Sequence, residues 1–136
     1  MSLKQLRFNL TGVFYQSSDE VIVLDVYKDH IEIQIGHSKN KIDTKEYIEK
    51  NWIIVAKKEA ERYRIAILQK LFENGTAKVL AYGNAINKLW LILDSFLLKR
   101  KDTVRIKQIQ IDVAVSDQGK PYSVMKVILQ RRDQNA

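Results

Sequence analysis

Apolar and polar positions alternate with a period of two in the first third of the chain. Ile31, Ile33 and Ile35 interleave with Glu32 and Gln34, the pattern of a half-buried strand. With Glu20–Val26 it predicts a hairpin across Lys28-Asp29-His30, and the aromatic, β-branched run Phe8–Tyr15 predicts a strand before it. Asp43-Thr44-Lys45-Glu46 has capping-box spacing, so a short helix is expected over Thr44–Lys50.

From Asn51 the pattern changes. The run Trp52–Ala56 reads as a short buried strand. Lys58–Phe72 has helical spacing at Ala60, Tyr63, Ile67 and Leu71 and stops at Asn74-Gly75. A strand over Lys78–Tyr82 leads through Gly83 into a second helix, Ala85–Lys99, which the basic run Lys99-Arg100-Lys101 suits as a C-terminus. Two long strands follow, Val104–Val115 and Tyr122–Gln130, joined by the turn Ser116–Pro121. In the first of these, Val104 and Ile106 lie out of phase with Ile109 and Ile111, which predicts a bulge at Lys107-Gln108. The second helix is apolar nearly all round, so one side should pack on the sheet. The other side needs a cover, from residues 1–50 or from a second subunit. The resulting class is α+β, with a β-α-β-α-β-β two-layer sandwich at 51–132 behind a strand-rich extension at 1–50.

Composition sharpens this picture. The chain has 136 residues, no cysteine and a formal charge of +7, with an apolar fraction of 46% that supports a real core. Thiolate metal sites, disulfides and cysteine nucleophiles are excluded. Residues 1–50 carry 7 basic and 8 acidic side chains and residues 51–136 carry 16 and 8, so the positive excess belongs to the C-terminal part. Such an imbalance points to a polyanionic partner. No apolar run is long enough to span a bilayer and the N-terminus lacks a signal-peptide pattern, so a cytoplasmic location without membrane attachment is expected.

Enzyme chemistry is not legible. His30 and His37 read as exposed turn residues without a metal-ligand spacing, and no phosphate loop or nucleophile triad is present. The pairs Asp19-Glu20 and Glu59/Glu61 suit a turn and a helix start. No cofactor, metal or small-molecule substrate is expected, and the chain reads as a non-enzyme.

In order and spacing, residues 51–132 resemble the Alba family of small nucleic-acid-binding proteins. The resemblance rests on Ile53-Ile54-Val55-Ala56-Lys57-Lys58, the helix around Tyr63 and Ile67-Leu68, and Asn74-Gly75. It continues through Lys78–Lys88, the strand Val104–Lys107 and the turn Asp117-Gln118-Gly119-Lys120. It implies a homodimer that binds double-stranded DNA or RNA largely without sequence preference, through a basic face flanked by mobile hairpin arms. In a prokaryote it implies a chromatin-like, nucleoid-associated role.

The residues expected to contact nucleic acid are Lys57, Lys58, Tyr82, Asn84, Lys88, Arg105, Lys107 and Lys120. Lys57 and Lys58 stand at a helix start, Lys88 one turn into the next helix, and Lys120 at a hairpin tip. Arg105 and Lys107 are expected to carry a basic track onto the hairpin arm. Two departures matter. Tyr82 and Asn84 replace the arginines that flank the glycine in the family, and Glu59 replaces a proline after the lysine pair. These changes imply weaker duplex affinity, and an exposed Tyr82 would stack on an unpaired base. Two alternatives remain: a protein-interaction subunit of an RNase P-like ribonucleoprotein, and an Alba-fold homologue with weakened binding.

Overall fold

A computed structural model describes the backbone of residues 12–16, 21–26 and 29–35, with side chains there at Ile31 and Ile33, and residues 41–132 throughout. In chain order the elements are β1 (Gly12–Gln16), β2 (Val21–Val26), β3 (Asp29–Ile35), α1 (Thr44–Glu49) and β4 (Ile53–Ile54). Then come α2 (Ala60–Asn74), β5 (Thr76–Tyr82), α3 (Ala85–Arg100), β6 (Val104–Val115) and β7 (Pro121–Arg131). The described strands form one mixed sheet in the order β1-β2-β3-β6-β7-β5-β4. Residues 8–11 of the first expected strand, Lys28 of the expected turn, Asp19-Glu20 and His37 lie outside the described residues. His30 falls within β3, not in a turn.

The expected β-α-β-α-β-β order is present as β4-α2-β5-α3-β6-β7. One main core lies between the sheet and α2 and α3, built from Tyr63, Ile67 and Leu71 of α2 and from Leu89, Leu93 and Phe96 of α3. α2 ends where Gly75 takes a left-handed φ of 75° and returns its N–H to Leu71 O. α2 begins at Ala60, later than its apolar spacing predicts, because Lys57–Glu59 form a loop.

The long hairpin carries its bulge at the predicted place. The β6–β7 register shifts between Ile106 and Gln108, leaving Lys107 as the extra residue. The shift returns Val104 and Ile106 to the same core as Ile109 and Ile111. The phase change in the sequence is therefore no change of face in the fold.

The run Trp52–Ala56 differs from its expectation. Only Ile53–Ile54 pair as a strand, in parallel with Val79 and Leu80. Val55 enters the main core, while Trp52 and Ile54 pack on the other side of the sheet with Leu80, Ala114 and Val124. That side is covered by Ile42 and by Tyr47 of α1, so both faces of this short strand are apolar. Asp43 caps α1 as predicted, accepting from Lys45 N at 3.1 Å, but Glu46 bonds forward to Lys50 Nζ instead of closing a capping box.

The N-terminal strands continue the same sheet. β3 pairs in parallel with the outer edge of β6, Ile33 opposite Ile109 and Ile35 opposite Ile111. Ile31 and Ile33 are buried in the main core, each worth roughly 1.5–3 kcal/mol of burial.

Candidate nucleic-acid interface

The strand registers fix which charged side chains share an end of the sheet. β4 and β5 run parallel and finish together, and Val55 N donates to Leu80 O at 2.8 Å. The chain therefore leaves the sheet at Ala56 and Lys57 level with the end of β5 at Tyr82. α2 and α3 both start at this end, and Tyr82 pairs with Val124, close to the β6–β7 turn. Lys57, Lys58, Tyr82, Asn84, Lys88 and Lys120 thus come to one end.

Arg105 and Lys107 do not join them. They lie at the start of β6, where Arg105 is opposite Gln130 and Val104 opposite Arg131, at the end of the hairpin away from its turn. From Arg105 to Asp112, which is level with Val124, β6 spans about 23 Å at roughly 3.3 Å per residue. The basic track expected along the hairpin arm is thereby split between opposite ends of the sheet. A strand that leads into a turn begins far from that turn, which is the physical reason.

The lysine-pair loop is held from both sides. The Tyr63 hydroxyl accepts from Ala56 N at 2.8 Å and from Lys58 N at 3.1 Å. Lys88 Nζ donates to Ala56 O at 2.8 Å and to Lys58 O at 3.0 Å. The Lys57 and Lys58 side chains stay exposed. Lys88 therefore organises the loop, with one of its three ammonium donors left over from these two bonds. Tyr63 was visible in the sequence only as a core position of the helix. Its hydroxyl role has no sequence signal.

Tyr82 is 40% exposed, and its ring leans on Tyr122 with centroids 5.9 Å apart. Gly83 follows with φ 59°, and a Cβ built there meets nothing within 4 Å, so the space above the turn is open. Asn84 caps α3 by position but its side chain makes no capping bond. The exposed amide remains available to a ligand.

The hairpin arm is anchored by the segment before α1. Ile42 N donates to Tyr122 Oη at 3.0 Å, and Lys41 pairs with Asp117 at 2.9 Å. The hydrogen bond that Lys41 donates to Asp117, reinforced by the carboxylate charge, raises the Lys41 pKa. Nothing local to Lys41 in the sequence places it at this end. On the face away from the long helices, Lys126 pairs with Asp112 at 3.0 Å under Tyr47. Burial pushes the Lys126 ammonium down, but its bond to Asp112 and the carboxylate charge outweigh this, and the net shift is upward.

Apolar side chains remain exposed on the helix layer: Ile65, Leu68 and Phe72 along one side of α2, and Leu91 and Leu98 on α3. An open groove of about 290 Å³ between the helices is lined by Ile65, Leu68 and Phe96 and rimmed by Arg64, Lys99 and Arg100. Arg64 is engaged there, Nε donating to Ser95 Oγ at 2.8 Å. Among the described residues no cluster of three or more His, Asp or Glu is placed to hold a metal ion, and no helix is long and apolar enough to cross a membrane.

No protein-family model and no curated protein matches the chain. Among solved structures it is similar to Alba from Thermoplasma volcanium, with a TM-score of 0.54 and 22% sequence identity over 60% of this chain and 100% of that one. The fold is thus Alba-like α+β, and the N-terminal strands extend it.

Proposed function

We propose that the chain binds nucleic acid without catalysing a reaction, gripping the phosphate backbone of DNA or RNA largely independently of sequence. The carrying observation is the loop clamped between Tyr63 and Lys88, which presents Lys57 and Lys58 where two long helices begin. Ammonium groups beside helix N-terminal amides suit a phosphate diester. Lys120, Asn84 and Tyr82 flank them, and the likeness to a solved Alba supports the reading through its fold. Glu59 and Glu61 lower the local potential, so affinity for a duplex is modest. A homodimer is part of this reading.

Titration of a duplex over a range of salt concentrations tests it. Binding should weaken steeply with salt, and Lys57→Glu with Lys58→Glu should lower the log–log slope by about 1.8 if both contact phosphate. A flat slope in the parent protein would refute it.

The exposed side chains Ile65, Leu68 and Phe72 favour a second reading, a protein-interaction subunit of a ribonucleoprotein. Mass in solution separates the two. A homodimer that binds duplex alone supports the first, and a monomer that binds nothing until a different protein covers α2 supports the second.

A further inference from the structure

The far end of the sheet carries its own concentration of positive charge. Lys99 and Lys101 close α3, Arg105 and Lys107 open β6, Arg131 ends β7, and all five are exposed. The backbone ties these segments together: Arg132 N donates to Thr103 O at 2.7 Å and Arg131 N to Gly75 O at 2.9 Å. Among the described residues, acidic groups nearby are few. Asp102 lies in the connecting turn, and Glu73 accepts from Gln69 at 3.1 Å.

A helix C-terminus accounts for Lys99 and Lys101 through its dipole. It does not account for Arg105, Lys107 and Arg131, which stand on strands. Nor do internal contacts use up their donors. Arg105 Nη2 meets Gln130 Oε1 at 2.7 Å and Arg131 Nη1 meets Phe72 O at 3.5 Å, while each guanidinium has five N–H groups.

From this placement we infer that the far end is a second phosphate-backbone site, so that one chain holds two separate stretches of nucleic acid. Arg105 and Lys107 belong to this site and not to the one at Lys57 and Lys58. Along β6 they are followed by exposed Gln108, and Arg105 is held by Gln130 on the face turned away from the helices. Guanidinium forks with flanking amides fit sugar-phosphate oxygens. An anionic membrane fits less well, because it needs apolar groups beside the charges. Phe72 and Leu98 project from the helix layer on the side of Lys99 and Arg131, whereas Arg105 stands on the opposite side of the sheet, so no single apolar face adjoins all the charges.

The inference does not depend on the other end binding, and its test keeps the two apart. A duplex of about 10 base pairs, one helical turn, is titrated into the full chain, with bound duplexes per chain counted by mass and the salt slope measured. The parent protein should take two. Arg105→Glu with Lys107→Glu should take one and lose at least about 1.8 from the summed slope. The milder pair Arg105→Gln with Lys107→Gln should move the same way, which covers a fold disturbed by the acidic pair. If both far-end pairs bind as the parent does, this site is overturned and the reading at Lys57 and Lys58 stands. If only the far-end pairs lose binding and Lys57→Glu with Lys58→Glu does not, this site stands and that reading falls. No duplex bound by the parent overturns both, as does a far-end effect seen only with anionic vesicles.

Discussion

Tyr63 and Lys88 grip the same short loop with opposite hydrogen-bonding polarity, the phenol oxygen accepting both amides and the ammonium donating to both carbonyls of Ala56 and Lys58. The residues lie on different helices, so the loop also couples α2 to α3. Lys88→Met should cost about 1–2 kcal/mol of stability, read as a lower midpoint in urea, and Lys88→Arg should recover most of it. Tyr63→Phe should cost a similar amount with the ring still packed. Were Lys88 only a phosphate ligand, Lys88→Met would keep the midpoint and lose about 0.9 of salt slope.

Tyr82 gives a prediction of a different kind. Stacking on an aromatic ring is worth about 1–3 kcal/mol per base. Tyr82→Ala should therefore weaken binding of a single strand about 5- to 150-fold while leaving its salt slope and the duplex affinity nearly unchanged. Tyr82→Phe should bind as the parent does. Equal losses for duplex and single strand would show that Tyr82 acts only through the packing of Tyr122.

Local periodicity carried much of the fold. The offset between Ile106 and Ile109 located the bulge, and Asp43 and Gly75 marked where helices start and stop. What the sequence hid depends on pairings between distant segments. Nothing local to Ile33 says that it lies beside Ile109, and nothing local to Trp52 says that Ile42 and Tyr47 cover its face of the sheet. The candidate site follows the same division. Lys57 and Lys58 were legible as exposed cations at a helix start, but a lysine that turns back to carbonyls looks in sequence like any lysine facing solvent.

The bulge itself is testable. Deleting Lys107 should remove the extra residue and restore simple alternation, leaving Val104 and Ile106, now 5% and 2% exposed, on the same face as Ile109 and Ile111. No buried side chain changes face, so the urea midpoint should stay close to the parent's; a collapse would show that the local twist of the bulge is itself required. Lys107→Ala keeps the extra residue and should fold normally.

The Lys126–Asp112 pair sets a pH dependence. The Lys126 pKa is raised above 10.5 in the folded protein, so the folded state holds this proton more tightly than the unfolded chain does. Its stabilisation is complete below 10.5 and is lost as pH climbs through the folded value. Urea midpoints of the parent and Lys126→Met should differ by a constant amount from neutral pH upward and converge only in that alkaline range. Asp112→Ala, which strands the ammonium under Tyr47, should cost about 1–3 kcal/mol at neutral pH.

The parallel pairing of β3 with β6 bears on how the chain is made. The meander β1–β2–β3 leaves the ribosome before its docking edge has been translated, and that edge arrives only after α1, β4, α2, β5 and α3. Until then β3 offers an unsatisfied row of amides and carbonyls, an open template for any extended neighbour. Closing so large a loop is slow. Nascent chains released before Val104 should therefore be the aggregation-prone species in this protein's biosynthesis.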